Sequence, residues 1–338
     1  MKIQLIRHCE TEWNRLERCQ GISDLELNNN GINQSIFLKD FYFDKHVDLI
    51  FSSDLKRTMQ TALEINKNLK SDIIQNEKLR EMDQGDFEGL SFSYIRKNFA
   101  AQMKPNSLAV FNSNDIYPIS ADSTMPFEQH RDIFYLSGVD QEESILVLFP
   151  DCPKEKHREL LFLKETNEHI AIWEGEKLTK EAAFNTSGIR TVYWLQDMEK
   201  VMFELMTQCD TVYINTNEHY RASVETETRE DRFTKWLKEK YPAHSVAKSN
   251  PILQRLRSVK DPIELALMQK ACDITEKGFR RLLSFVKPGV WEYEIEAELM
   301  HEFLRNRSKK FAYTPILASG NNANVLHYIE NNQQCKDG

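Results

Sequence analysis

Apolar residues come in short runs between polar loops over the first three quarters of the chain, and in long helical stripes thereafter. The run Ile3 to Ile6 predicts a strand, followed by a polar loop, a helix from about Gly31, a second strand at Asp48 to Phe51 and a second helix from about Leu55. Alternation of this kind predicts an α/β unit with a parallel sheet, and it continues to about Tyr94. Beyond it, Leu108 to Phe111, Ile133 to Leu136 and Ile145 to Phe149 predict further strands, with mixed helices and strands to about Lys248, hence a second α/β domain.

After Pro251 the pattern is helical. Asp261 is the expected N-cap, with Pro262 at the first helical position and Glu264 closing a capping box. Leu267, Ala271, Ile274, Leu282 and Phe285 then share one face until Pro288-Gly289 breaks the helix. Ile295, Leu299 and Phe303 repeat every four residues in the next helix, and a Gly320-Asn321-Asn322 turn leads to the last apolar segment, Val325 to Ile329.

A length of 338 residues accommodates at least two cores. No apolar run approaches the ~18 to 20 residues of a membrane span, so no membrane insertion is expected. MKIQLIRH is not an export signal, and the cytoplasm is the expected address. The six cysteines are dispersed without a CxxC pair, which argues for reduced thiols over a zinc knuckle or disulfide framework. A formal charge of −8, with basic residues interspersed among acidic ones, makes nucleic acid an unexpected partner.

Arg7-His8 directly follows the first apolar run, at what would be the carboxyl edge of a sheet, where α/β folds bind ligands. A histidine there either satisfies a local hydrogen bond or performs chemistry. IRHCETEWN, QGISDLELNNNGINQS, SSDLKRTMQTA and LREMDQGDFEGL, in that order, resemble the histidine phosphatase superfamily, to which phosphoglycerate mutases belong. The resemblance implies that His8 is the nucleophile, that Arg7 and Arg57 hold the phosphate, and that Glu81 protonates the leaving oxygen, with Glu10 and Thr11 completing the loop. An unprotonated imidazole can attack phosphorus while guanidinium groups stabilise its oxygens. Cys9 replaces the family's glycine, and no second pocket histidine follows before Tyr94. A partial domain without phosphatase turnover is therefore expected.

From Arg96 the motifs change. RKNFAAQMKPNSLAVFNSNDIYP, FEQHRDIFYLSGVDQEESILVLFP and IWEGEKLTKEAA resemble the N-terminal domain of aminopeptidase P, a scaffold that helps assemble oligomers. LRSVKDPIELALMQKACDIT, KPGVWEYEIEAELMHEF and YTPILASGNNANVLHYIENNQQCKDG resemble the opening of its pita-bread catalytic domain. The resemblance implies that Trp173 lines a substrate pocket, against the alternative of a core aromatic, and that Tyr313 lies near that pocket. It also implies that His327 sits beside the metals, contacts substrate and helps move protons, against the alternative of a buried structural histidine.

The fold class expected is thus α/β: a partial histidine-phosphatase sandwich (1–94), an aminopeptidase P N-terminal α/β domain (95–248) and the start of a pita-bread α+β domain (249–338). The implied reaction is release of an N-terminal residue preceding proline, with two divalent metals, typically manganese, activating a water. The same resemblance places every metal ligand downstream of Gly338, with Asp337 a turn residue. No metal site is expected in this chain alone, which is expected to be inactive. Peptides with proline in second place and further copies of the full-length enzyme are the partners implied. Two readings stand beside this one: a histidine phosphatase acting through a phosphohistidine, and a non-catalytic oligomerisation or peptide-binding fragment.

Overall fold

The computed structural model describes residues 3–15, 18, 20–81, 91–219 and 225–337. Within the N-terminal segment a single turn, α1 (Glu12–Arg15), precedes α2 (Asn29–Phe41), which begins where the Asn28 side chain accepts from the Gly31 amide at 2.8 Å. The strand β1 (Leu49–Ser52), the helix α3 (Lys56–Leu69) and the strand β2 (Asp72–Gln75) follow, and β1 pairs with β2 in parallel. A parallel pair needs a crossover, and α3 supplies it, packing against α2. The strand expected at Ile3 to Ile6 is not formed. A strand needs a ladder partner for its backbone groups, and none of the described strands pairs with this run, whose Leu5 is 96% exposed.

The next elements are α4 (Phe92–Ala100), β3 (Ser107–Asn112), the small hairpin β4 (Pro118–Ser120) and β5 (Ser123–Thr124), α5 (Arg131–Ser137), β6 (Ile145–Leu148) and β7 (Glu159–Leu163). Then come α6 (Glu168–Glu174), α7 (Lys180–Ser187), β8 (Thr191–Trp194), α8 (Met198–Met206), β9 (Thr211–Ile214), α9 (Arg229–Lys240), β10 (Ser245–Lys248) and α10 (Asn250–Ser258). Six strands form one sheet in the order β10-β9-β3-β6-β7-β8. Its β10-β9-β3 and β7-β8 pairings are parallel, while β6 runs antiparallel to both its neighbours.

Helices cover both faces, which is why β3, β6 and β9 are buried at every position. Leu108 and Val110 point with Val147 and Phe162 into a core closed by α8 and α9. Ala109 and Phe111 point with Leu146 and Leu161 into a second core that receives Phe99, Ile133, Leu136, Ile252 and Leu253. Ile133 to Leu136, expected as a strand, lies in helix α5 instead. Four apolar residues fit either element, and the decision falls to the ends: the His130 ring caps the helix, and Gly138, at φ 71°, terminates it.

Contacts divide the chain into two compact units, Met1–Val259 and Lys260–Gly338. In the second, α11 (Pro262–Phe285) starts on the expected capping box: Asp261 accepts from the Ile263 and Glu264 amides, and Glu264 accepts from the Asp261 amide. It packs on α12 (Glu292–Arg305) through Gly278, where a Cβ would lie 2.6 Å from Leu299 Cδ1. The predicted stripe is fully covered only near its end: Leu282 is buried, Leu267, Ile274 and Phe285 are half-buried, and Ala271 is exposed. At 1.5 Å per residue, α12 is about 15 Å shorter than α11 and cannot shield its first turns. Leu282, Val290, Ile295 and Leu299 form the small core, with Phe311, Leu317 and Cys335 against it.

Candidate functional site

Three places carry the residues expected to do chemistry. At the first, the His8 ring is half-buried, and its Nδ1 lies 2.7 Å from the Cys9 carbonyl. Burial, reinforced by the nearby charges of Arg57 and Arg7, pushes the imidazole below its usual range against the opposing Cys9 hydrogen bond and Glu81 charge. The structure thus brings Arg7, Arg57 and Glu81 within electrostatic reach of His8. Arg57 is fully buried, and its guanidinium donates to the Ser23 and Gly21 carbonyls, each at 2.6 Å, tying down the 20–23 loop. Cys9 donates its amide to Thr61 Oγ1, and burial pushes its thiol up. Glu10 is fastened to Asn28, and its carbonyl lies where a Cβ on Gly31 would come within 2.0 Å, so that glycine is required for the loop to pass. Thr11 caps its own turn with Asn14.

The second place is the exposed tip of α6. Trp173 is 79% exposed with His169 beside it, so it is not a core aromatic. The third is the tail of the Lys260–Gly338 unit. Tyr313 is 78% exposed and His327 is exposed as well, so His327 is not a buried structural histidine.

What sequence reasoning missed is the anchor beside His327. Glu292, fully buried at the first turn of α12, accepts from the Tyr328 hydroxyl at 2.6 Å, the Ser319 amide at 2.7 Å, the Ser319 hydroxyl at 2.8 Å and the Gln333 amide at 3.0 Å. Burial alone would raise this carboxyl, but these donors outweigh it and bring it down to about 2. One carboxylate therefore pins both sides of the segment that presents His327. The sequence holds only a faint signal of it, a glutamate at N1 beside the visible Trp291/Glu294 cap.

Among the described residues, no group of three or more His, Cys, Asp or Glu side chains converges to hold a metal ion.

The described residues from 91 to 259 build a six-stranded sheet covered by helices, and those from 260 to 337 a pair of helices with a short tail. Residues 92–213 match the aminopeptidase P N-terminal domain, and residues 266–338 match metallopeptidase family M24. Residues 3–111 match the histidine phosphatase superfamily, branch 1. The last match overlaps the first, but α4 and β3 are built into the six-stranded sheet and its cores. The chain is 29% identical over 248 residues to the Xaa-Pro aminopeptidase of Escherichia coli, covering 73% of this chain and 56% of that protein. It is 27% identical to human Xaa-Pro aminopeptidase 3, covering 73% and 48%.

Among solved structures, aminopeptidase P from E. coli superposes with a TM-score of 0.65 at 27% identity, over 74% of this chain and 58% of that one. Pseudomonas aeruginosa PepP gives 0.64 at 27%, over 73% and 56%. The chain spans about half the length of the curated relatives it matches. From α4 onward it resembles aminopeptidase P, with that enzyme's N-terminal domain and the start of its M24 domain, and a histidine-phosphatase-like segment precedes them. Among the described residues no helix is long and apolar enough to cross a membrane.

Proposed function

We propose that residues 92–338 furnish the scaffold and part of the substrate pocket of a metal-dependent Xaa-Pro aminopeptidase, and that this chain by itself turns over no peptide. The observation that carries the reading is the collinear match: an aminopeptidase P N-terminal domain and an M24 segment, in that order, on one chain. In this reading Trp173 and Tyr313 contact peptides with proline in second place, and His327, held by the Tyr328–Glu292 anchor, contacts substrate and moves protons. Two divalent cations, manganese by family resemblance, would supply the activated water when bound by ligands that the described residues do not assemble. The functional division follows the motifs, 1–94, 95–248 and 249–338, with α10 lending its packing to the middle part.

The full-length form would be a homo-oligomer. A cytoplasmic setting agrees with five described cysteines that form no disulfide. The expected result with an Xaa-Pro peptide and Mn²⁺ is no steady release of the first residue. Release that a chelator blocks would overturn the claim of inactivity.

The cluster around His8 favours a second, lesser reading, since a half-buried neutral imidazole flanked by two guanidinium groups suits phosphoryl capture. Arg57, however, is engaged by loop carbonyls. We expect no phosphomonoester hydrolysis above that of a His8→Ala control. Turnover present in the parent and lost in that variant would establish the phosphatase.

A further inference from the structure

The six-stranded sheet contains a feature that neither pattern in the sequence announces. Strands β3 and β9 are adjacent and parallel, yet the helices that follow them lie on opposite faces: Ile133 and Leu136 of α5 in one core, Phe233 and Leu237 of α9 in the other. Where following connections part in this way, a crevice opens outside the carboxyl ends of the strands, and open α/β sheets bind ligands there. Beside the carboxyl end of β3, toward β6 and α9, lies a cleft of about 570 Å³, bounded by the residues after β3, the start of β6, the start of α8 and the first turns of α9. That is within the range of small-molecule sites, roughly 300 to 1,000 Å³.

Its charges are unevenly matched. Four carboxylates line it, and each already has a cation: Asp115 with Arg232 at 2.7 Å, Glu142 with Lys177 at 2.5 Å, Glu143 with Lys164 at 3.3 Å and Glu199 with Lys240 at 2.9 Å. Arg229 also lines the cleft and, among the described residues, makes neither a hydrogen bond nor an ion pair. It is half-buried, and burial pushes its guanidinium down, with the nearby charges of Glu143 and Asp115 opposing that.

Nothing in the helix accounts for it. Arg229 is the first residue of α9, where the macrodipole disfavours a cation, and the capping is done by Thr228 and Asp231. A desolvated guanidinium needs an acceptor, and a bidentate carboxylate suits its fork. Glu230, the next residue, is half-buried and occupied by the Asn112 side chain and the Asn215 amide. The lining itself carries four carboxylates against two guanidinium groups, Arg229 and Arg232, so an anion alone would also face negative charge. A zwitterion would not, because its ammonium answers Glu143 and Asp115 while its carboxylate takes Arg229. Leu195, Met198, Phe233 and Trp236 give the wall an apolar stretch, with Asn112 and Asn114 as its uncharged polar groups.

We propose that this cleft binds a free α-amino acid with an apolar side chain, its carboxylate on Arg229, its ammonium toward Glu143 and Asp115, and its side chain against Phe233 and Trp236. The proposal does not depend on peptidase turnover. The test is titration of the full chain with L-phenylalanine and L-leucine, followed by calorimetry, with N-acetyl-L-phenylalanine and L-phenylalanine amide as analogues that lack one charge each. Saturable binding of the free amino acids is expected, weakened at least about 10-fold by either blocking group and by Arg229→Gln, with part of the affinity retained by Arg229→Lys.

Three results would overturn the site: no saturable binding at millimolar concentration, blocked analogues that bind as well as the free amino acid, or an Arg229→Gln protein of unchanged circular dichroism that binds as the parent does. Should that variant fail to fold, the blocked analogues on the unaltered chain decide alone.

Discussion

Replacing Arg96 by methionine is expected to lower the unfolding free energy of the Met1–Val259 unit by about 3 kcal/mol. The Arg96 side chain is completely enclosed. Its Nη1 donates to the Leu136 carbonyl in the last turn of α5 and to the Ser187 carbonyl at the end of α7, each at 2.9 Å. Its Nε and Nη2 face Glu159 Oε2 on β7 at 3.0 and 2.9 Å. One guanidinium therefore joins two helix C-termini, where the dipole favours a cation, to strand β7 of the central sheet. Methionine matches the length but donates nothing, leaving two buried carbonyls without this partner.

The cost falls at the low end of the range for broken buried pairs because Glu159 keeps a third of its side chain in water. Urea unfolding followed by far-ultraviolet circular dichroism measures the effect. A loss below about 1 kcal/mol would reduce the contact to the worth of a surface salt bridge.

The second large effect is expected at Glu292, where glutamine should cost the Lys260–Gly338 unit about 2–3 kcal/mol near neutral pH. All four of its partners are donors, so an amide nitrogen at either oxygen position meets a donor head-on. The pH dependence has a definite sign. The folded carboxyl is depressed to about 2, below its unfolded value, so the unfolded state takes up the proton first as pH falls. The contribution is complete above about pH 4.5 and is lost as pH approaches 2. The gap between parent and Glu292→Gln should therefore shrink over that window. Hydrogen exchange of residues 315–335 against pH reads it directly, and a gap that stays constant from pH 7 to pH 2.5 would show that the carboxylate is not the anchor.

The elements that the sequence announced correctly are those with local chemistry at their ends. Asp261, Pro262 and Glu264 start α11 as their side chains require. The failures lie where the deciding partner is remote. Ile3 to Ile6 has the composition of a strand but no described neighbour to pair with, and Ile133 to Leu136 became a helix because His130 and Gly138 close its ends. Arg96 marked only the start of a resemblance in the sequence, and its burial follows from residues 40 to 91 positions away.

The candidate sites divide in the same way. Motif order along the chain, carried by residues that lie close together, was enough to place an aminopeptidase P-like stretch after a phosphatase-like one. The clustering of Arg7, Arg57 and Glu81 around His8 needed the tertiary fold, as did the occupation of Arg57 by the Ser23 and Gly21 carbonyls. So did the exposure of Trp173 and the anchoring of Tyr328 on Glu292, 36 residues earlier. The sequence by itself determined which families the segments resemble and where their well-capped helices begin, because both are written in short-range residue order. Only the tertiary structure decided which charges are buried, which carboxylates are already paired and that Arg229 is left without a partner among the described residues, because burial and pairing depend on residues brought together from distant parts of the chain.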